Sequence, residues 1–113
     1  MGDIKEIIQK LEEFRDERNW KQFHNPKDLA VALSIEAAEL NELFLWKKEE
    51  SSWNEVENER ISEELADVLA YALLLASHYN FDIKGIVLDK IEKNKLKYPV
   101  DKSFNTAKKY NKL

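Results

Sequence analysis

Two pairs of carboxylates stand out from the acidic background of this chain. Glu36 and Glu39 lie in Ile35–Trp46, read as IEAAELNELFLW, and Glu64 and Asp67 lie in ELADVLAYALLLA. Each pair is spaced i, i+3, so on a helix its two side chains leave neighbouring positions of one face. Glu36 falls between Leu33 and Leu40, and Glu64 between Ile61 and Val68, where a packed helix would place apolar side chains. An ionised carboxylate in such a place is costly unless it is paired or holds a cation. Four of them facing one another would also raise each other's pKa. A hard divalent cation relieves both problems, and an oxygen-only donor set selects Mg²⁺, with Mn²⁺ as its substitute, over zinc or copper. A lone acid pair carries little weight in a chain with 22 acidic residues, and Glu39 with Glu42 is one that means nothing. The weight rests on two pairs, each on the apolar side of its own helix.

Helices must position these acids, and the apolar spacing gives four. The first covers 3–18, with Asp3 as its cap and Ile4, Ile7, Ile8, Leu11 and then Phe14 or Arg15 as its stripe. Asn25-Pro26-Lys27-Asp28 starts the second, over 27–48, with Asn as cap and Pro in the first turn. Its stripe is Leu29, Leu33, Leu40, Leu43 and Phe44. Ser52 or Asn54 can cap the third, over 55–79, and Asn54 with Glu57 resembles a capping box. Its apolar face is Ile61, Leu65, Val68, Leu69, Ala72, Leu75 and Ala76. The fourth covers 82–97, entered through a turn in which Asn80 takes the left-handed conformation and Asp82 caps, and it is stopped by Pro99. Short connectors imply antiparallel neighbours, so the expected architecture is all-α, an antiparallel four-helix bundle over residues 1–99. A basic tail over 100–113 is expected to pack loosely. The connector NWKQFHNPK carries Trp20, Phe23 and His24, and rings in a connector suit either a plug over a bundle end or a wall for a flat ligand.

Composition excludes several classes. With no Cys there is no disulfide framework and no thiolate nucleophile, and two dispersed His support no triad. Di-iron bundles use Glu-x-x-His pairs, and Leu75 stands three residues before His78, so that role is excluded too. A net charge of −4 gives no field for a nucleic acid polymer. The longest apolar run, Val68–Ala76, is far short of the ~20 residues that span a bilayer. No signal-type segment opens the chain, so a soluble cytoplasmic protein without membrane partners is expected. A single domain of 113 residues has a thin core, and its 43% apolar content can furnish a subunit interface.

Beyond these physical readings, Glu-x-x-Glu followed by Glu-x-x-Asp on the next helix resembles the metal motif of the MazG-like all-α nucleoside triphosphate pyrophosphohydrolases. The blocks ERNWKQFHNPKDLAVALSIEAAELNELFLW, EELADVLAYALLLA and KIEKNKLKYP look like those of the dCTP pyrophosphatase branch, over about residues 4–99. The resemblance implies Mg²⁺-dependent hydrolysis between the α and β phosphates, probed first with dCTP or a related pyrimidine deoxynucleotide. It implies Glu36, Glu39, Glu64 and Asp67 as metal ligands, with Glu36 or Glu39 activating water. Trp20, Trp46 and Tyr71 would meet the base, with His24 beside them, and Lys90, Asn94 and Lys97 would meet phosphate and sugar. A homo-oligomer, dimer or tetramer, is implied as well. The competing readings are the same fold acting on another nucleotide (dUTP, a modified deoxynucleotide or phosphoribosyl-ATP) and a non-catalytic oligomeric module that binds metal or nucleotide.

Overall fold

The computed structural model describes residues 2–47 and 54–113, so Lys48 and the candidate cap Ser52 lie outside the described residues. All regular structure among them is helical: α1 Asp3–Glu17, α2 Pro26–Glu42, α3 Glu55–His78, α4 Ile83–Lys97 and the single turn α5 Val100–Ser103, with short 3₁₀ turns at Lys21–Phe23 and Tyr110–Lys112. No described helix is long and apolar enough to cross a membrane. The chain divides into two compact units, one ending at Asn80 and the other starting at Phe81.

The starts of α2 and α3 follow the residues that begin them. Asn25 accepts the Asp28 backbone N–H at 2.9 Å, and its own amide donates back to Asp28 Oδ2 at 2.7 Å. Asn54 accepts the Glu57 N–H at 3.0 Å. The bonds that Asn25 and Asn54 accept each satisfy one orphan backbone donor of a first turn. At α1 the cap position belongs to Gly2 rather than Asp3, and no side chain bonds there. Asp82 caps α4 by position, also without a side-chain bond.

The end of α1 is built more tightly than its sequence suggests. Asn19 takes a φ of 56°, the Asn19 N–H donates to the Asp16 carbonyl at 3.0 Å, and the Trp20 N–H donates to the Arg15 carbonyl at 3.0 Å. This pair of bonds is a Schellman motif with Asn in the left-handed position. The apolar contact that accompanies such motifs is here Phe14 against Trp20, edge to face at 5.7 Å. Asn80 repeats the left-handed cap at the end of α3, with φ 55° and its N–H on the Ser77 carbonyl at 3.0 Å.

Helix α2 stops six residues before the boundary expected at 48. From Leu43 the ladder tightens: Leu43, Phe44 and Leu45 bond to Leu40, Asn41 and Glu42, each three residues back. Trp46 then takes a φ of 64°, a region that a bulky side chain seldom occupies, and is 90% exposed. Lys47 closes the turn with a 2.7 Å ion pair to Glu57 on α3.

In the first unit α2 and α3 lie side by side and α1 packs on α3. Leu29 and Leu74 share a cavity wall, Glu36 meets Glu64 and Asp67, and Lys47 meets Glu57. Rising numbers on α2 thus face falling numbers on α3, so the pair is antiparallel. The buried apolar residues among those described are Leu29, Leu74 and Ala76. Leu65 and Leu69, expected in the core, are instead 45% and 54% exposed, as are Val31 and Ile35 at 48% and 53% on α2. The single chain therefore leaves much of its apolar stripe uncovered.

Candidate functional site

The register of α2 against α3 brings Glu36, Glu64 and Asp67 together, with one carboxylate oxygen of each within 4.8 Å of the others. Glu36 and Glu64 are half-buried, while Glu39 and Asp67 are exposed, where the sequence had turned all four toward the packed side. Asp67 lies on the side of α3 that carries Tyr71 and Leu74, away from the exposed Leu65 and Leu69. The Oε2 atoms of Glu36 and Glu64 are buried without a hydrogen-bond partner. Burial, then the carboxyl of Glu39, then the charges of Asp67 and Glu64 push Glu36 up to about 7. Burial and the charges of Glu39 and Asp67 push Glu64 upward too. Orphaned buried oxygens on crowded, partly desolvated acids are what a bound cation would satisfy, and oxygen donors alone fit Mg²⁺ or Mn²⁺. Glu39 stands outside the convergent three, although its carboxyl acts on both Glu36 and Glu64.

Beside this cluster lies a cavity of about 250 Å³ whose walls include Leu11, Phe14, Trp20, His24, Tyr71 and Leu74, with Asp67 at its edge. The rings run in sequence: Trp20 to His24 at 6.5 Å and His24 to Tyr71 at 6.5 Å. Trp20 reaches the cavity because the Schellman motif turns the chain back on α1. Tyr71 reaches it from α3, one turn after Asp67. Burial raises the Tyr71 hydroxyl above its usual value, with Glu36, Asp67 and Glu39 adding to the effect, so it stays protonated. Burial, then the charge of Arg15, lowers the imidazole of His24, which is therefore neutral at pH 7, and its Nδ1 is buried without a partner. A cavity with aromatic walls and Asp67 in its lining suits a ring whose charged part reaches the carboxylates.

Comparison with known proteins agrees with this geometry. A sequence profile of the MazG-like family matches residues 31–113. The chain belongs to the MazG-like family. Among curated relatives it is 42% identical over 105 residues to dCTP pyrophosphatase 1 of Bos taurus and 39% identical to that of Homo sapiens. Each alignment covers 89% of this chain and 62% of the relative, so the chain spans about three fifths of the length of these proteins. Among solved structures, a pyrophosphatase from Archaeoglobus fulgidus superposes with a TM-score of 0.77 at 42% identity, covering 88% of this chain and 94% of the other.

Within this MazG-like chain two other rings singled out in the sequence, Trp46 and Phe23, do not line the aromatic cavity. Trp46 lies beyond the end of α2 beside Phe44 and Leu45 and does not line the aromatic cavity. Helix α2 therefore does not carry both the acids and Trp46, because its backbone leaves the helix before Trp46 is reached. Phe23, the other ring of the connector, is 60% exposed. Lys90, Asn94 and Lys97 lie on α4 in the second unit, where the Lys97 ammonium stands 4.9 Å from the centre of the Tyr110 ring. The family match extends through the tail, whose described residues carry α5 and the Tyr98–Tyr110 ring contact at 6.1 Å.

Arg15, expected only as an alternative to Phe14 on the stripe of α1, belongs to the site as well. Its side chain is only 13% exposed and it lines the aromatic cavity. The available signal was an arginine in line with Ile4, Ile8 and Leu11, on the apolar side of α1.

Proposed function

We propose that this chain hydrolyses the α–β phosphoanhydride of a pyrimidine deoxynucleoside triphosphate, dCTP first, to the monophosphate and pyrophosphate. The observation that carries the reading is Asp67, which belongs both to the convergent carboxylates and to the rim of the aromatic cavity. A base held by Trp20, His24 and Tyr71 would thus have its phosphates beside Glu36, Glu64 and Asp67. The names of the relatives support the substrate class, since two of them act on dCTP.

Held by those three carboxylates, Mg²⁺ would neutralise the phosphate oxygens and polarise the α phosphorus, with Mn²⁺ as substitute. The protein's own part is positional and acid–base. Glu39 is exposed and stands outside the convergent three, so its carboxylate is the one left to accept a proton from the attacking water. The water oxygen bonds to the α phosphorus, the bond from that phosphorus to the bridging oxygen breaks, and pyrophosphate leaves with the electron pair.

Product analysis on a panel of deoxynucleoside triphosphates with Mg²⁺ tests the reading. Pyrophosphate and dCMP from dCTP are expected. Orthophosphate release, or nucleotide binding with no turnover anywhere in the panel, would replace it with a different hydrolase or a binding module.

A homo-oligomer is part of the same proposal. Val31 and Ile35 on α2 and Leu65 and Leu69 on α3 are exposed apolar side chains. Another copy of the chain would cover such side chains. Sedimentation equilibrium is expected to give a mass at least twice that of one chain, and a monomer at micromolar concentration would rule the assembly out.

A further inference from the structure

The wall of the aromatic cavity contains a guanidinium whose terminal donors have no side-chain partner among the described residues. Arg15 Nε donates to Asp16 Oδ1 at 2.8 Å, and no other side-chain partner of Arg15 occurs among the described residues. The terminal nitrogens of a guanidinium add four N–H donors in one plane. Here they sit on a side chain that is 13% exposed, on a wall shared with a neighbouring cavity of about 440 Å³, beside the apolar Leu11, Phe14 and Leu74, the rings of Trp20, His24 and Tyr71, and the carboxylate of Asp67. Donors in such surroundings cost free energy unless water or a ligand accepts from them. The Arg15 carbonyl also receives the Trp20 N–H at 3.0 Å, so the backbone holds residues 15 and 20 together at the end of α1.

The chemistry of the fork restricts what it can read. A guanidinium pairs best with two adjacent acceptors in one plane. Cytosine offers O2 and N3 side by side. Uracil and thymine place an N3–H between two carbonyls, so one donor of the fork would meet another donor. Guanine also offers two adjacent acceptors, O6 and N7, so the fork separates cytosine from uracil and thymine and not from guanine. On the reading of this cavity as the base pocket, we propose that Arg15 is the specificity residue, its terminal N–H groups donating to O2 and N3 of cytosine and rejecting uracil and thymine. The discrimination expected from one bidentate pair is about 10- to 100-fold.

The test compares kcat/KM for dCTP, dUTP and 3-deaza-dCTP, in which N3 is replaced by C–H. Wild-type protein is expected to prefer dCTP to both by about 10-fold or more. Arg15→Met, and Arg15→Lys, which keeps the charge but loses the fork, are expected to bring all three within about threefold, chiefly by weakening dCTP. Equal use of dCTP and 3-deaza-dCTP by the wild type overturns the assignment, and that arm stands even where a variant fails to fold. An unchanged dCTP-to-dUTP ratio in either variant, or an equal loss on all three substrates, overturns it too, leaving Arg15 a structural role. These outcomes differ from failure of the parent reading, in which the wild type releases pyrophosphate from no nucleotide and both ideas fall together.

Discussion

Replacing Glu39 with Gln is expected to lower kcat by about 10²- to 10⁴-fold, the range removed with a general base. The amide keeps the size and one acceptor of the carboxylate but cannot take a proton from water. Because Glu39 is exposed and lies outside the convergent Glu36, Glu64 and Asp67, the cation donors survive the change. KM and the stabilisation given by Mg²⁺ are therefore expected to stay near the wild-type values. Glu64→Gln makes the contrast, since it removes a donor and should weaken both metal binding and turnover. Steady-state kinetics with a thermal-shift titration of Mg²⁺ on the two variants separates the roles. A Glu39→Gln variant with wild-type kcat would move the proton-accepting role to Glu36.

Without divalent cation, the protein is expected to lose stability as pH rises from about 4.5 to about 7. Glu36 is pushed from 4.5 to about 7 in the folded chain, chiefly by burial and by Glu39. Below 4.5 its carboxyl is protonated in both folded and unfolded chains and changes nothing. Between the two values the unfolded chain has released the proton while the folded chain still holds it, so folding takes up a proton and stability falls with pH. Above 7 the cost is complete. Glu64, shifted in the same direction, adds to the slope. Glu36→Gln should therefore melt several degrees above the wild type at pH 8 in chelator, by about 5 °C for ~1 kcal/mol in a domain of this size. The two should converge near pH 4. Adding Mg²⁺ should reverse the order at pH 8, because the cation stabilises only the chain that binds it. A wild-type melting point in chelator that is flat from pH 4.5 to 8 would mean that the acids do not crowd one another.

Much of this was legible in the sequence because it is written locally. Asn25 before Pro26 and Asn54 before Glu55 mark helix starts through bonds to the residues three positions on. Pro99 and Asn80 mark ends through backbone conformation. The acid pairs were legible because i, i+3 spacing fixes relative direction on a helix, and the antiparallel register then brings Glu36 to Glu64 and Asp67. The end of α2 was not legible. Leu43-Phe44-Leu45-Trp46 contains no Gly or Pro, and the helix yields there to three-back hydrogen bonds and to the pull of Lys47 on Glu57 across the α2–α3 connection. Arg15 was hidden for a similar reason: its environment is made by Trp20, His24 and Tyr71, two of which return from another segment of chain. The exposure of Leu65 and Leu69 was equally out of reach, since periodicity identifies an apolar stripe but not what covers it.

The left-handed Asn19 has a consequence for how this pocket can change over time. The position of residue 20 is set by its main-chain bond to Arg15 and by the reversal at Asn19, to which the Phe14–Trp20 ring contact adds. A substitution at 20 alters the ring offered to the ligand while leaving the Cα where the helix end puts it. The wall of the cavity is thus a socket with a replaceable fitting. Lineages that keep an Asn or Gly at 19 can exchange one ligand preference for another through a single codon, without rebuilding the helices that hold the acids.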